Sequence, residues 1–169
     1  MTESARRTSS RPLRSMLYGW RMSRLSFDQV NVVVPDVAGA AGFLRALGAE
    51  IEEIDGEWAE WGAHHVTLPP VGDGFVVDLD SSPFASHWGG LPEGFTGVVV
   101  NLRAGDSEAV DAAFERALAL GAEGIRPPYD AFWGARYAVV RGPGPIIVGV
   151  MGPVDPAARG ATPRVADFA

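Results

Sequence analysis

Two stretches of the chain alternate between apolar and mixed positions with a period of two, and each runs into a segment with helical spacing. In Asp28–Val34 (DQVNVVV), Val30, Val32 and Val34 share one face while Gln29, Asn31 and Val33 share the other, the pattern of a strand. Asp36 then offers an N-cap oxygen, and Val37, Ala40, Ala41, Leu44 and Leu47 recur at helical spacing until Gly48. The sequence repeats this plan later. Gly97–Leu102 alternates, Asp106 can cap a helix, Val110, Ala113, Phe114, Ala117 and Leu118 form its stripe, and Gly121 closes it.

The tetrapeptide LGAE stands at the exit of both helices, at Leu47–Glu50 and Leu120–Glu123. Such internal similarity marks tandem units. Further strands are predicted at Glu50–Ile54, His64–Leu68 and Phe75–Asp80 in the first unit, and at Ala122–Arg126, Ala135–Val140 and Ile146–Met151 in the second. Each unit therefore reads β-α-β-β-β. Neither is large enough to bury a good core alone, so the expected fold is α+β. In it, two tandem modules share one curved mixed sheet, with helices on one side and a concave cleft on the other.

Composition narrows the function classes. With no cysteine, disulfides, thiol catalysis and zinc-thiolate sites are excluded, and a metal would need His, carboxylate or amide ligands. No apolar run is long enough for a membrane span, and the expected location is cytoplasmic. In residues 1–25 six arginines face one glutamate, so the net charge of −7 conceals a body at −12. An acidic body argues against nucleic acid or anionic membrane as partner and suits a neutral or cationic small molecule. Residues 1–25, rich in Arg and Ser without apolar period, read as a disordered extension. Residues 26–153 read as one domain, with modules at 26–93 and 94–153, and residues 154–169 as a Pro/Gly-containing tail.

The opening DQVNVVVPDVAGAAGFLRALGAE and the closing PPYDAFWGARYAVV, followed by a Gly/Pro turn and IIVGVMGP, resemble the vicinal oxygen chelate superfamily. That superfamily contains glyoxalases, extradiol dioxygenases and bleomycin-resistance-type binders. The resemblance implies four cleft-facing strand positions that hold a divalent metal in the enzymes. Matched residue by residue, they fall on Gln29, Asp78, Gly97 and Gly149. Two glycines offer no ligand, so no metal and no cofactor is expected. The turn before the last strand, RGPGPII, also lacks the acidic and amide side chains common in relatives.

The same strand periodicity gives the concave face a polar set, Gln29, Asn31, Asp78, Asp80 and Asn101, interspersed with Val76, Val99, Ile147 and Met151. Asp78 and Asp80, two apart on one face, repel unless one is protonated or a cation lies between them. His64 and His65 point to opposite faces of a strand and cannot chelate together, and His65 shares its face with Thr67. Trp58, Trp61, Phe84, Trp88, Tyr129, Phe132, Trp133 and Tyr137 supply flat apolar area. The resemblance places Trp133, in FWGARY, at the cleft mouth, and Arg136 is expected to pair with a ligand carboxylate or, as an internal ion pair, with Asp78 or Asp80. The expected ligand contacts are thus Gln29, Asn31, Asp78, Asp80, Asn101, Trp133, Arg136 and Met151. The resulting reading is a dimeric, metal-free binder of a planar or cationic organic molecule. Its alternatives are a metal-dependent enzyme of the same scaffold, a cofactor-free lyase or isomerase with Asp78 or His65 as base, and a module with no ligand.

Overall fold

A computed structural model describes residues 24–53, 56–70 and 74–167 of the chain. Most of the predicted extension, residues 1–23, lies outside the described residues. Seven strands form one mixed sheet in the order β2-β3-β1-β4-β7-β6-β5. In chain order they are β1 (Ser26–Val34), β2 (His65–Thr67), β3 (Val76–Ser81), β4 (Gly97–Arg103), β5 (Glu123–Asp130), β6 (Arg136–Arg141) and β7 (Ile147–Met151). Among the described residues three α-helices accompany them: α1 (Val37–Ala46), α2 (Ser82–Gly89) and α3 (Ser107–Ala119).

The two units meet at the antiparallel pair of β1 and β4, and each first strand pairs in parallel with the last strand of its own unit. The registers match: Asn31 faces Asp78 across β1 and β3 as Asn101 faces Gly149 across β4 and β7. The N-caps of both long helices, Asp36 and Asp106, lie five residues after these asparagines. Asp36 caps the Gly39 amide at 2.8 Å and Asp106 the Ala109 amide at 2.7 Å. Both stop at glycines in the left-handed region, Gly48 at φ 100° and Gly121 at φ 88°. The repeated LGAE is therefore a repeated helix exit.

Strand alternation divides the core into layers. Val37 and Ala41 of α1 pack with Val32, Val34, Val66 and Leu79; Val110 and Phe114 of α3 pack with Ala138, Val140 and Val150. The alternate residues Val33, Val99, Tyr137, Val139, Ile147 and Met151 point to the opposite face, where Trp61, Phe84, Trp88 and Leu91 cover part of it. That coverage comes largely from α2, a helix the periodicity did not announce. Its signals are local: Ser81 accepts the Phe84 amide at 3.3 Å, a proline occupies the first turn, and Gly90 ends it at φ 65°.

Three sequence expectations are corrected. Glu50–Glu53 form no strand, since Arg45 takes the Ile51 and Glu52 carbonyls at 2.9 and 2.8 Å that a ladder would need. Ile54 lies outside the described residues, and a 3-10 turn over Gly56–Ala63 follows, so among the described residues the first unit contributes three strands, not four. The side chain of Trp58 also lies outside them. The second correction is to β5, which runs on to Asp130 through Pro127 and Pro128. An edge strand tolerates prolines, and the pairing slips between Gly124 and Tyr129. Third, the expected tail is docked: Asp155 N donates to Gly134 O at 2.8 Å, Gly160 N to Phe132 O at 2.9 Å, and Val165 packs on the core.

Candidate functional site

The concave face carries a cavity of about 810 Å³. Its polar side is built by β1, β3, β4 and β2, and its apolar side by Trp61, Phe84, Trp88, Phe132, Trp133 and Tyr137. Period two on parallel and antiparallel neighbours places Gln29 and Asn31 beside Asp78 and Asp80, with Asn101 on the far side of Asn31. Asn31, Asp78, Asp80 and Asn101 are buried, Asp80 completely. Buried polar groups persist only when hydrogen-bonded, and here each is.

The hydrogen bonds run in one direction. Tyr137 OH donates to Asn101 Oδ1 at 2.6 Å, Asn101 Nδ2 donates to Asn31 Oδ1 at 2.6 Å, and Asn31 Nδ2 donates to Asp80 Oδ2 at 2.7 Å and to Asp78 Oδ2 at 3.4 Å. Gln29 Nε2 adds bonds to Asn31 Oδ1 at 3.0 Å and Asp78 Oδ2 at 3.2 Å. Every amide thus turns a proton toward the two carboxylates. Burial first, and then the nearby Tyr129 and Asp80, hold the Tyr137 hydroxyl well above its usual range, so it remains the donor that sets this sequence.

On the other side of the carboxylates, His65 Nδ1 lies 2.7 Å from Asp80 Oδ1, and Thr67 Oγ1 donates to Asp78 Oδ1 at 2.8 Å. The repulsion expected between Asp78 and Asp80 is thus relieved by the Asn31 amide between them and by His65 alongside. Burial raises the pKa of Asp78; His65 opposes this and Asp80 reinforces it. Burial works to lower the pKa of His65, but the hydrogen bond and charge of Asp80, with the charge of Asp78, outweigh it and leave it above 6.5.

Both shifts mean that the folded state binds protons more tightly than the unfolded one. The contribution of His65 is complete below 6.5 and lost as pH rises through its folded pKa, while the ionised Asp78 destabilises above its own folded pKa. Stability linked to these groups should therefore rise from alkaline pH toward about pH 4. Urea titrations of Asp78→Asn are expected to show a variant more stable than the parent at neutral pH, the difference shrinking as pH falls toward 3.8. An unchanged difference across that interval would count against the burial-driven rise.

Of the sequence-predicted contacts, Gln29, Asn31, Asp78, Asp80, Asn101, Trp133 and Met151 line the cavity. Arg136 does not. It shares its strand face with Ala138 and Val140, beneath α3, and pairs with Asp111 at 2.9 Å and Asp130 at 3.2 Å. The sequence contact list omitted His65, Thr67, Tyr137 and Arg103 from the polar apparatus, although strand parity with Asp80, Asp78, Gly149 and Asn101 could have included them. It also omitted Val154 and Thr162, which line the cavity because the C-terminal segment folds back.

The donor set does not fit the family's metal centre. By the register, the counterpart of Gln29 is Val99, not Gly97, which sits at the start of β4 opposite Val33. Val99 is fully buried in the apolar core and has no ligand to offer. At Gly149, the counterpart of Asp78, an added Cβ would collide with Asn101 Oδ1 and the Tyr137 hydroxyl. The second unit thus fills its half of a metal site with an amide and a phenol. Among the described residues, no three His or carboxylate side chains are arranged to hold a metal ion.

The family model for the Glyoxalase/Bleomycin resistance protein/Dioxygenase superfamily matches residues 26–148. Among solved structures, the Mn(II)-bound glyoxalase from Novosphingobium aromaticivorans aligns at 20% identity and TM-score 0.54, over 85% of this chain and 44% of that one. Methylmalonyl-CoA epimerase from Mycobacterium tuberculosis aligns at 16% identity and TM-score 0.51, over 78% and 90%. An extradiol ring-cleaving dioxygenase from B. fuscum aligns at 18% identity and TM-score 0.51, over 78% and 33%. At such identities the likeness is one of fold. No curated protein matches the sequence.

Proposed function

Since the chain belongs to the Glyoxalase/Bleomycin resistance protein/Dioxygenase superfamily, whose scaffold serves catalysts and pure binders alike, we propose that it is a metal-free binding protein for a planar, cationic organic molecule. One observation carries the reading: two buried, hydrogen-bonded carboxylates form the floor of a cavity walled by aromatic rings. Flat apolar walls favour a planar ligand, and carboxylates fed by amide donors favour a positive charge above them. Sequestration of the bleomycin-resistance type needs only this shape, stacking and charge. The protein is proposed to act as a dimer in the cytoplasm.

Purified protein should hold far less than one equivalent of Zn, Ni, Mn or Fe by elemental analysis. Titration with a quinolinium-type cation should quench tryptophan fluorescence, because Trp61, Trp88 and Trp133 line the cavity. Trp133→Ala should weaken binding by ~0.5–2 kcal/mol, the range for aromatic and cation–π contacts. Added salt should weaken binding, and replacing both aspartates with Asn should flatten that dependence. Stoichiometric metal, or tighter binding of anionic analogues with Trp133→Ala indifferent, would sink the proposal.

A further inference from the structure

Beyond binding, we propose that the cleft removes a proton from a planar cationic carbon acid, with His65 Nε2 as the base and Asp80 as its positioning residue. The inference rests on the proposal that the cleft takes planar cations, and adds chemistry to it. Asp80 is completely buried and is fixed from one side by the Asn31 amide at 2.7 Å and from the other by His65 Nδ1 at 2.7 Å. A buried acceptor of this kind keeps the Nδ1 proton directed at itself and leaves Nε2 as the atom that exchanges protons. The His65 side chain is 33% exposed and lines the cavity, and Phe84 meets its ring edge to face at 5.6 Å. The ring is thus oriented from two sides while Nε2 remains available.

Thr67 completes the arrangement. Its hydroxyl proton is committed to Asp78 at 2.8 Å, so its oxygen, 3.3 Å from Nε2, can accept a hydrogen bond from Nε2–H once a proton has arrived there. The charged and titratable groups around His65 are Asp78 and Asp80 on β3, with Glu53, Arg103 and Tyr137 on the cavity wall. The two aspartates raise the pKa of His65 against burial, and a cation bound alongside opposes that rise and favours the neutral ring.

The step balances without a metal or a redox partner. Neutral His65 takes a proton from a carbon attached to a C=N⁺ group. The C–H electron pair becomes a C=C bond, the C=N pair moves onto nitrogen, and the ligand becomes a neutral enamine as His65 becomes imidazolium. The positive charge moves only from ligand to ring, and both positions lie over the same carboxylate floor. Fixed groups already oriented toward that charge need no reorganisation as it moves. Return of a solvent-derived proton to the same carbon gives exchange, and return to another carbon gives isomerisation.

N-methylquinaldinium is a suitable probe, because it is a planar cation whose 2-methyl group is a carbon acid. Tryptophan quenching reads its binding, and proton NMR in deuterated buffer reads loss of the methyl signal. The expected result is saturable exchange above the buffer rate, reduced about 10²-fold or more in His65→Gln with binding retained. Imidazole added to His65→Ala should restore part of it. Asp80→Asn can donate its amide to Nδ1, which leaves Nε2 protonated. It should lose exchange likewise and lower the His65 pKa measured by NMR, a shift that a purely structural role would not produce. Binding without exchange above buffer, or exchange unaltered in His65→Gln, overturns the inference and leaves the binding proposal standing. A probe that does not bind overturns both.

Discussion

Gly149→Ala is expected to be among the most damaging single-methyl additions in the molecule. Gly149 lies on β7 opposite Asn101 and Val139, and a Cβ there would meet Asn101 Oδ1 and the Tyr137 hydroxyl, the two atoms that begin the hydrogen-bond sequence of the cleft. Overpacking a core costs ~1–3 kcal/mol, and parting a buried donor from its acceptor costs ~1–3 kcal/mol more. A total of ~2–6 kcal/mol follows from these two ranges and would lower Tm by roughly 4–24 °C for a domain of this size. The double variant Gly149→Ala, Tyr137→Phe decides the cause. Removing the hydroxyl takes away one of the two polar atoms that the methyl meets, so the pair should cost less than the sum of the singles in calorimetry. Strict additivity would place the damage elsewhere in the backbone.

Asp80→Ala is the second large effect. Two donors converge on this carboxylate, the buried Asn31 Nδ2 and the partly exposed His65 Nδ1, and both lose their acceptor. Breaking a buried pair by removing one partner costs ~3–5 kcal/mol. The one-third exposure of His65 lets water reach it in part, which sets the expectation near ~3 kcal/mol. Asp80→Asn should cost less, because an amide can accept from Asn31 and donate to the other tautomer of His65. Chemical denaturation at neutral pH compares them, and equal losses would show that volume and charge, rather than orphaned donors, control the site.

The module plan, the helix caps and the inward or outward direction of each strand residue were legible in the sequence because they depend on short periods. Val32 and Val34 go under α1 while Asn31 and Val33 go to the cleft simply because successive residues alternate. The same rule put six of the eight expected contacts, Gln29, Asn31, Asp78, Asp80, Asn101 and Met151, on the cavity wall. It also held the information that Arg136 points away, since Arg136 has the parity of Ala138 within the expected strand Ala135–Val140. The absence of a strand over Glu50–Glu53 has a local cause too: Ile51 and Ile54 are spaced by three, not two, and Arg45 captures the Ile51 and Glu52 carbonyls.

What only the tertiary structure decided is which polar residues meet. Asp80 is paired with His65 through antiparallel β2 and β3, with Asn31 through parallel β1 and β3, and thence with Asn101 and Tyr137 on strands from the second module. No local pattern specifies such pairings, because register between strands distant in sequence is set by the packing of both sheet faces at once. The sequence alone determined a duplicated α+β frame with a polar concave face and glycine at Gly149, a position that carries a metal ligand in the family's enzymes. Long-range pairing made those side chains a single donor sequence ending on two carboxylates. It also brought Val154 and Thr162 back to the rim, since the backbone groups of Gly134 and Phe132 that anchor the C-terminal segment exist only once β5 and β6 have turned.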